Sequence, residues 1–402
     1  MDSLAPISVA DWRPVPTRET IAAAEVGDGV VSVRWSDGRR SPFHALWLRD
    51  NCPCPHCVSP VTREQLFEIA DSPADLAIAA AAADPQGGGL TVAWSDGHHG
   101  RFAAGWLRAH AYDPESRAER SAGPSAVLWG GERAAALPVF DHDAVTTDES
   151  ALESWLRAVR DVGLTLVRGL PAQPGMVATL ARRISFIRES NFGVLFDVVS
   201  KPNPDSSAYT AVNLPPHTDL PTRELQPGLQ FLHCLVNDAT GGDSVFVDGF
   251  AIAAALRAEH PADFALLATT PVAFWNKDNR TDYRCSAPII ALDGAADAGG
   301  EVREIRCANF LRGPLDAPAD RVAAFYRAYR RFIAFGREAQ FRVQRRLTPG
   351  DCWVFDNRRV LHARTAFDPA SGRRHLQGCY VDRDELLSRL RVLQRTPVAP
   401  PA

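Results

Sequence analysis

Lysine and long hydrophobic segments are scarce in this chain of 402 residues. Lys201 and Lys277 are its lysines, and 48 acidic against 44 basic residues give a formal net charge of −4. Because no basic stripe is present, we expect no nucleic-acid partner. Apolar runs such as LAIAAAAADPQGGG are interrupted by Asp, Pro and Gly, so we expect no membrane-spanning segment and no membrane partner.

A secretory signal is also lacking. The first residues, MDSLAPISVADWRPVP, have no positively charged start followed by an apolar core. We therefore expect a cytoplasmic location, in which thiols stay reduced. Three of the eight cysteines crowd into the segment NCPCPHC, residues 51–57. In a reducing compartment such a cluster favours a metal site over disulfides.

The length favours two domains. In the first, the segment GVVSVRWSDGRRSPFHALWLRDNC predicts a hairpin around an Asp-Gly turn, and LTVAWSDGHHGRFAAGWLRAHA repeats the pattern. We predict a small β-rich domain over residues 1–112 and a linker over 113–128, where the sequence is charged and aperiodic. Residues 129–402 then form the second domain.

The second domain mixes helix and strand patterns. TTDESALESWLRAVRDVG predicts a capped helix, and LQFLHCLV, GDSVFVDGF, DCWVFDN and VLHARTAF predict strands. One long helix, DRVAAFYRAYRRFIAFGREAQF, lies among these strands. A mostly β domain with flanking helices (α+β), of the jelly-roll type, fits this order best. Periodicity alone leaves another α+β arrangement open.

The segment LPPHTDLPT contains a possible metal-binding pair. Residues two apart on a strand face the same side, so His217 and Asp219 can point into one cavity. A third ligand has to come from elsewhere, and the histidines considered are His233 in an apolar run, His260 in a helical loop and His362 in NRRVLHARTAF. Two histidines and one carboxylate are the ligand set of non-haem Fe(II) oxygenases.

Two arginines follow the last of these histidines. Arg373 and Arg374 lie 11 and 12 residues after His362, in the segment GRRHLQGCY. A guanidinium at this distance is suited to bind the far carboxylate of 2-oxoglutarate through two parallel hydrogen bonds. The order His-X-Asp, long gap, His, Arg is far more specific than His-X-Asp alone, which is usually a turn. The full order therefore favours iron.

The cysteine cluster predicts a second metal site. It supplies three thiolates from Cys52, Cys54 and Cys57. A closed tetrahedral site needs a fourth ligand, which WSDGHHG offers as His98 or His99, while His56 within the cluster can compete. Such a closed site is structural and would join the two hairpins. The alternative is three buried free thiols.

The chain resembles the γ-butyrobetaine and trimethyllysine dioxygenase branch of the taurine dioxygenase-like 2-oxoglutarate oxygenases. The similarity covers nearly the whole chain, through WLRDNCPC, AYT, HTDLP, GLQFLHC, TGGDSVFVDGF, PGDCWVFDN, VLHAR and RHLQGCY. It implies a double-stranded β-helix (jelly roll) catalytic domain and a small N-terminal β-rich zinc domain. It also implies a small-molecule substrate, a homodimer, Fe(II), 2-oxoglutarate and O2 as cofactor and cosubstrates, structural Zn(II), and ascorbate as reductant.

The resemblance assigns roles to individual residues. The iron ligands would be His217, Asp219 and His362, and the fourth zinc ligand would be His98. Arg374 would bind 2-oxoglutarate, with Arg373 as the alternative, and Ser244 in GGDS would lie near the cosubstrate carboxylate or act only as a turn hydroxyl.

The substrate pocket is assigned in the same way. Aromatic-cage positions for a trimethylammonium group match Phe192, Phe196, Tyr209 and Tyr380. Leu220 stands where the animal enzymes carry an aromatic residue, and Asn309 matches an amide that contacts the substrate carboxylate. Each aromatic residue can instead be ordinary core filling. We therefore expect a hydroxylase of a trimethylammonium zwitterion, and keep as alternatives a hydroxylase of a non-quaternary amino acid or phosphonate and a non-catalytic metal-containing binding protein.

Overall fold

The computed structural model describes residues 15–62, 64–121, 126–200, 210–293 and 300–394. This part of the chain forms two compact units, which divide between residues 125 and 126. Among the helices described, none combines the length and the apolar character needed to cross a membrane.

The first unit contains two copies of one pattern, three antiparallel strands followed by a short helix. The first copy consists of β1 (Ile21–Gly27), β2 (Val30–Trp35), β3 (Arg40–His44) and α1 (Ala45–Asp50). The second consists of β4 (Ile78–Ala83), β5 (Gly89–Trp94), β6 (His99–Ala103) and α2 (Ala104–His110). Gly38 and Gly97 adopt φ of +88° and +82° in the two Asp-Gly turns, a conformation that favours glycine. The two predicted hairpins are confirmed.

The two copies contact each other reciprocally. Arg49 on α1 donates from Nε to Asp96 Oδ2 at 2.9 Å, in the turn of the second copy. Arg108 on α2 donates to Asp37 Oδ2 at 2.7 Å, in the turn of the first copy. Each helix therefore binds the turn of the other copy, and the indole and phenyl rings of both hairpins pack in one shared core.

The segment predicted as a linker contains a helix, α3 (Pro114–Ser121). Asp113 precedes it and accepts a hydrogen bond at 2.9 Å from the Ser116 backbone N–H, which satisfies a donor at the helix start. Ser41 donates to the same carboxylate at 2.7 Å, which attaches the start of α3 to the first hairpin. The helix has almost no apolar residues, so hydrophobic periodicity did not reveal it.

The second unit contains sixteen strands and seven helices within the described ranges. Its strands are β7 (Val139–Asp141), β8 (Leu164–Arg168), β9 (Phe196–Val199), β10 (Leu214–His217), β11 (Leu229–Asn237), β12 (Thr240–Gly241), β13 (Ser244–Asp248), β14 (Val272–Lys277), β15 (Asp282–Ala287), β16 (Ile290–Leu292), β17 (Val302–Ile305), β18 (Arg342–Arg345), β19 (Cys352–Asp356), β20 (Val360–Arg364), β21 (Phe367–Asp368) and β22 (Arg374–Val381). Its helices are α4 (His142–Thr147), α5 (Glu149–Val162), α6 (Met176–Arg182), α7 (Gly249–Glu259), α8 (Pro261–Thr269), α9 (Ala319–Phe335) and α10 (Arg383–Leu393).

Two sheets carry the site. One has the order β7-β8-β19-β11-β22-β9 and the other β10-β20-β13-β18, and all pairs except β7–β8 are antiparallel. Side chains of both sheets meet in one apolar cluster between them, while α5, α6 and α10 cover the outer face of the six-stranded sheet. Neighbouring strands that are distant in sequence, such as β11 beside β22, are typical of a jelly roll. The predicted α+β jelly roll is confirmed.

The helices differ from the sequence prediction in two places. The segment predicted as one helix from Thr146 forms α4 and α5, because Asp148 leaves the helical conformation and caps α5 by accepting from Ser150 N–H. It ends as predicted at Gly163, with φ of +78°. Helices α7 and α8 were missed, because this alanine-rich segment is apolar over much of its circumference and shows no clear periodicity.

Candidate active site

Three side chains converge on the four-stranded sheet. His217 ends β10, His362 lies directly opposite it on β20, and Asp219 follows in the next turn rather than on the predicted strand. Asp219 Oδ1 lies 3.2 Å from His217 Nε2 and 3.6 Å from His362 Nε2. Two donors at right angles, each about 2.1 Å from one ion, are about 3 Å apart. The predicted ligands therefore lie together at a spacing that fits a metal ion.

The protonation of these groups also suits a cation. His217 Nδ1 faces the Pro215 carbonyl at 2.9 Å, and donating there leaves the Nε2 lone pair toward Asp219. Burial and the neighbouring imidazole lower the pKa of His362 to about 3, so this ring is neutral at neutral pH. Burial alone would raise the pKa of the Asp219 carboxyl, but the two imidazoles and the Tyr380 hydroxyl hold it well below its usual range. Two imidazoles and one carboxylate form the facial ligand set of non-haem iron.

Asp219 is fixed at its carboxylate and at its backbone. The Tyr380 hydroxyl donates to Asp219 Oδ2 at 2.7 Å. The side-chain amide of Asn357, which is fully buried, accepts from the Asp219 N–H at 2.7 Å and donates to its carbonyl at 3.1 Å. The next residue, Leu220, has φ of +52°, a strained value for a branched side chain. These contacts hold a backbone conformation that Leu220 would not adopt alone.

A buried polar network continues from the residue between the two ligands. Thr218 donates to Gln226 Oε1 at 2.8 Å, and Gln226 donates to Glu304 Oε1 at 2.9 Å. Glu304 also accepts from Arg306 at 2.9 Å and from Arg358 at 2.7 Å. Burial would raise the pKa of Glu304, but the two guanidiniums outweigh it and lower the pKa. This network lies outside the cluster of His217, Asp219 and His362.

Arg306 connects this network to the loop that follows Asp219. Its guanidinium donates to the carbonyls of Pro221, Arg223 and Glu224, at 2.9, 2.5 and 3.0 Å. Arg306 is 4% exposed, so these bonds are shielded from water. The loop beside the metal-type cluster is therefore held by a buried arginine whose charge Glu304 balances.

The two arginines of the RRHLQG segment face different ways. Arg374 begins β22 and is 8% exposed, whereas Arg373 precedes the strand and is exposed. Burial, and then the neighbouring Arg364, lower the pKa of Arg374 to about 10. Arg364 lies two residues after His362, and both buried guanidiniums approach the Phe367 ring, at 5.1 and 5.7 Å. No described carboxylate forms an ion pair with Arg374, which leaves it suited to a ligand's acid group.

Ser244 lies beside this pair of arginines. It is the first residue of β13, is 6% exposed and pairs with Arg364 across the strands. Arg374 also lines a cavity of about 410 Å³, together with Phe367, Arg373 and His375. Arg374 donates to the carbonyl of Gly242, two residues before Ser244.

Four of the predicted pocket residues share the apolar cluster between the sheets: Phe192, Phe196, Leu220 and Tyr380. The Phe196 ring lies 6.3 Å from the Phe192 ring and 4.9 Å from the Tyr380 ring. Of the other two, Asn309 and Tyr209, the second lies outside the described residues. The three rings and Leu220 therefore belong to one apolar cluster, in which the Tyr380 hydroxyl also contacts Asp219.

Asn309 lies on a short 3-10 turn beside the cluster of His217, Asp219 and His362. It is exposed, and its Oδ1 accepts from the Tyr329 hydroxyl at 3.4 Å. The next residue, Phe310, places its ring 5.1 Å from the His217 ring. The sequence did not single out Phe310, although the segment CANFLR contains it.

The cysteine cluster is assembled in the first unit. His98 Nε2 lies 3.2 Å from Cys52 Sγ, 3.6 Å from Cys54 Sγ and 3.5 Å from Cys57 Sγ. Thiolate and imidazole donors on one tetrahedral zinc ion are about 3.6 Å apart. Burial raises the pKa of the Cys52 thiol to about 12, so a cation is needed to hold it ionised. The donor set fits a closed zinc site.

Other residues near the sites were not recognised from the sequence. Arg364 follows His362 by two residues and could have been found by strand alternation. Gln230 belongs to GLQFLHC; it is 2% exposed, pairs with Tyr380 across the sheet, and its Oε1 has no partner within the described ranges. His233 is a core histidine as predicted, fully buried, and burial lowers its pKa to about 4. Asn357 carried no signal beyond its place in FDN.

Two protein-family descriptions match the chain. The model for "Taurine catabolism dioxygenase TauD, TfdA family" matches residues 123–380. The model for "Gamma-butyrobetaine hydroxylase-like, N-terminal" matches residues 23–108. The first match includes the His217, Asp219 and His362 cluster, and the second includes the cysteine cluster.

Full-length relatives match as well. The chain is 62% identical over 389 residues to the gamma-butyrobetaine dioxygenase of Pseudomonas sp. (strain AK-1), covering 96% of this chain and 100% of the relative. It is 33% identical to the human gamma-butyrobetaine dioxygenase, covering 94% and 98%. It is 30% identical to the trimethyllysine dioxygenase of Meyerozyma guilliermondii, covering 92% and 96%.

Proposed function

The chain belongs to the TauD, TfdA family of dioxygenases, and on that premise we propose that it is an Fe(II)- and 2-oxoglutarate-dependent hydroxylase of a small trimethylammonium zwitterion. γ-Butyrobetaine is the leading candidate. The observation that carries the proposal is the convergence of His217, Asp219 and His362 in the same interior as the buried Arg374.

The residues of this site would bind the iron ion and the cosubstrate. His217, Asp219 and His362 would hold the iron, and the remaining positions stay open for ligands. When bound, Fe(II) with 2-oxoglutarate and O2 supplies the oxidant that converts an unactivated C–H to an alcohol. Arg374 would bind the far carboxylate of 2-oxoglutarate with Ser244 nearby; its burial and its lack of a carboxylate partner among the described residues favour it over the exposed Arg373.

The apolar cluster of aromatic rings supports a trimethylammonium substrate. A quaternary ammonium has no N–H to donate, so ring faces suit it through cation–π attraction. Phe192, Phe196 and Tyr380 supply such rings, Tyr209 is assigned by resemblance, and Asn309 would contact the substrate carboxylate.

A second metal ion is proposed outside the substrate pocket. The cysteine cluster with His98 would hold a structural zinc ion. Ascorbate as reductant, a homodimer and a cytoplasmic location complete the proposal, and they rest on the family resemblance.

Leu220 favours a second candidate, a hydroxylase of a non-quaternary amino acid or phosphonate. It is 5% exposed and contributes an aliphatic wall to the same cluster, where an aromatic ring would attract a quaternary ammonium. Without that ring, the preference for a quaternary substrate is weakened by about 0.5–2 kcal/mol.

The test measures succinate formation from 2-oxoglutarate with Fe(II) and ascorbate, and compares γ-butyrobetaine with its primary-amine counterpart 4-aminobutyrate. We expect a preference for γ-butyrobetaine, and a loss of at least about 100-fold in Asp219→Ala or His362→Ala. His260→Ala is the matched histidine control, because His260 belongs to neither metal-type cluster.

The outcomes separate the candidates. A preference for the primary amine would select the second candidate, and no turnover with any substrate would indicate a non-catalytic binding protein. Near-normal turnover in Asp219→Ala would reject the iron site. Phe196→Leu should weaken γ-butyrobetaine binding about 2- to 30-fold, the equivalent of one ring.

A further inference from the structure

We propose that Tyr380 is a positioning residue for the metal-binding carboxylate of Asp219, beyond any part it has as an aromatic wall. The inference rests on the proposed iron site. The two oxygens of Asp219 have different surroundings: Oδ1 faces the imidazoles of His217 and His362, at 3.2 and 3.6 Å. Oδ2 accepts the hydrogen bond of the Tyr380 hydroxyl at 2.7 Å.

The hydroxyl is rigidly placed. Tyr380 is 2% exposed and lies on β22, which is paired on both sides, with β11 and β9. Its ring packs against Phe196 at 4.9 Å between the centroids. A hydrogen bond from a neutral hydroxyl to an ionised carboxylate is roughly twice as strong as one between neutral groups. The bond therefore resists rotation of the carboxylate.

The backbone of Asp219 is fixed independently, by the Asn357 amide at 2.7 and 3.1 Å. With both ends held, Oδ1 alone faces the imidazoles of His217 and His362. The carboxylate would therefore hold a metal ion through that oxygen, while Oδ2 stays bonded to the Tyr380 hydroxyl. Partners of this kind typically contribute 10- to 100-fold to metal affinity.

The hydroxyl and the ring of Tyr380 have separable effects. A wall of the substrate pocket needs the ring, whereas the carboxylate needs the oxygen. Tyr380→Phe removes the oxygen and keeps the ring. A wall role alone predicts unchanged metal affinity in this variant, and a positioning role predicts weaker metal binding before any substrate is added.

The experiment is a calorimetric titration with Co(II), used as a redox-stable probe for the iron site, without substrate and without 2-oxoglutarate. The full-length protein is loaded with zinc and then treated with a mild chelator, so that the closed cluster stays filled. Tyr112→Phe is the matched control, since it deletes a hydroxyl that accepts from the His44 N–H at 2.8 Å in the first unit. His217→Ala reports whether the titrated site is the triad.

We expect the Kd for Co(II) to rise about 10- to 100-fold in Tyr380→Phe, to stay unchanged in Tyr112→Phe, and to become unmeasurable in His217→Ala. The Co(II) absorption spectrum should also change in Tyr380→Phe, because a released carboxylate alters the coordination. Wild-type affinity and spectrum in Tyr380→Phe, with binding still lost in His217→Ala, would overturn the inference and leave the proposed function standing. Wild-type binding in His217→Ala would overturn both.

Discussion

Arg373 and Arg374 are adjacent in sequence, but burial separates them. The first is exposed, and the second is 8% exposed and lies close to a second buried guanidinium. Arg374 is a buried cation that forms no ion pair with a carboxylate among the described residues, and an anionic ligand would relieve the cost of burying it. This difference in burial is the reason why Arg374, and not Arg373, is expected to bind 2-oxoglutarate.

We predict that Arg374→Ala weakens 2-oxoglutarate binding by about 2–5 kcal/mol, because a buried carboxylate loses its partner. Arg374→Lys should be poor too, since an ammonium does not reproduce two parallel hydrogen bonds. The measurement is the KM for 2-oxoglutarate in steady-state turnover. Arg373→Ala is the matched control and should change it less than about 2-fold; the reverse result would exchange the two assignments.

Single residues were predictable where their spacing carries chemistry. The His-X-Asp spacing and the later histidine pointed to one cluster, and the structure places His217, Asp219 and His362 together. Residues that bind the ligands from behind were not predictable in this way. Asn357 and Tyr380 contact Asp219 across 138 and 161 residues of sequence. Nothing local marked Asn357, and the resemblance marked Tyr380 only as an aromatic-cage position.

The loop after β10 is an element without regular structure that is held by regular elements around it. Glu304 on β17 binds Arg306 and Arg358, and Arg306 binds three carbonyls of the loop. The side chains of Arg306 and Glu304 are 5% and 6% exposed. Removing one charge from a buried pair usually costs more than the pair contributes, because the other charge stays buried.

We predict that Glu304→Gln lowers the free energy of unfolding by about 3–5 kcal/mol, since two buried guanidiniums lose their carboxylate. Urea unfolding followed by tryptophan fluorescence measures it. Asp282→Asn is the control, because it breaks the exposed Arg284–Asp282 pair, and it should cost less than about 1 kcal/mol. Equal effects in the two variants would contradict the structural importance of the network.

Elements were predictable where periodicity was clear. The strands LQFLHCLV and DCWVFDN and the helix α9 appear where the sequence places them. The helices α7, α8 and α3 were missed for opposite reasons: the first two are too uniformly apolar and the third has almost no apolar residues. Hydrophobic periodicity detects a helix only when one face differs from the other.

On the scale of the whole molecule, zinc is the expected structural component of the first unit. Its donor set draws Cys52, Cys54 and Cys57 from the segment that follows the first copy and His98 from the turn of the second copy. Arg49 donates a hydrogen bond to Cys57 Sγ at 3.1 Å, and this contact stabilises the thiolate form of that cysteine. A closed site of this kind contributes folding free energy directly.

We predict about one zinc ion per chain, retained after mild chelation, because all four positions of the site are filled by protein. Cys54→Ser should lower zinc content and thermal midpoint before it reduces the metal affinity of the histidine–aspartate cluster. Elemental analysis and calorimetry measure both effects. Cys285→Ser, outside the cluster, should retain its zinc. Full zinc occupancy in a variant lacking Cys52, Cys54 and Cys57 would exclude the site.

The reciprocal arginine–aspartate contacts of the first unit make it equivalent to a twofold dimer contained in one chain. Such an arrangement is the expected outcome of an internal gene duplication, after which related positions were free to diverge. His98 and Arg39 occupy the same place in the two turns. His98 faces the cysteine cluster, whereas Arg39 pairs with Glu119 of α3. Of these two equivalent positions, one faces the thiols and the other forms an ion pair.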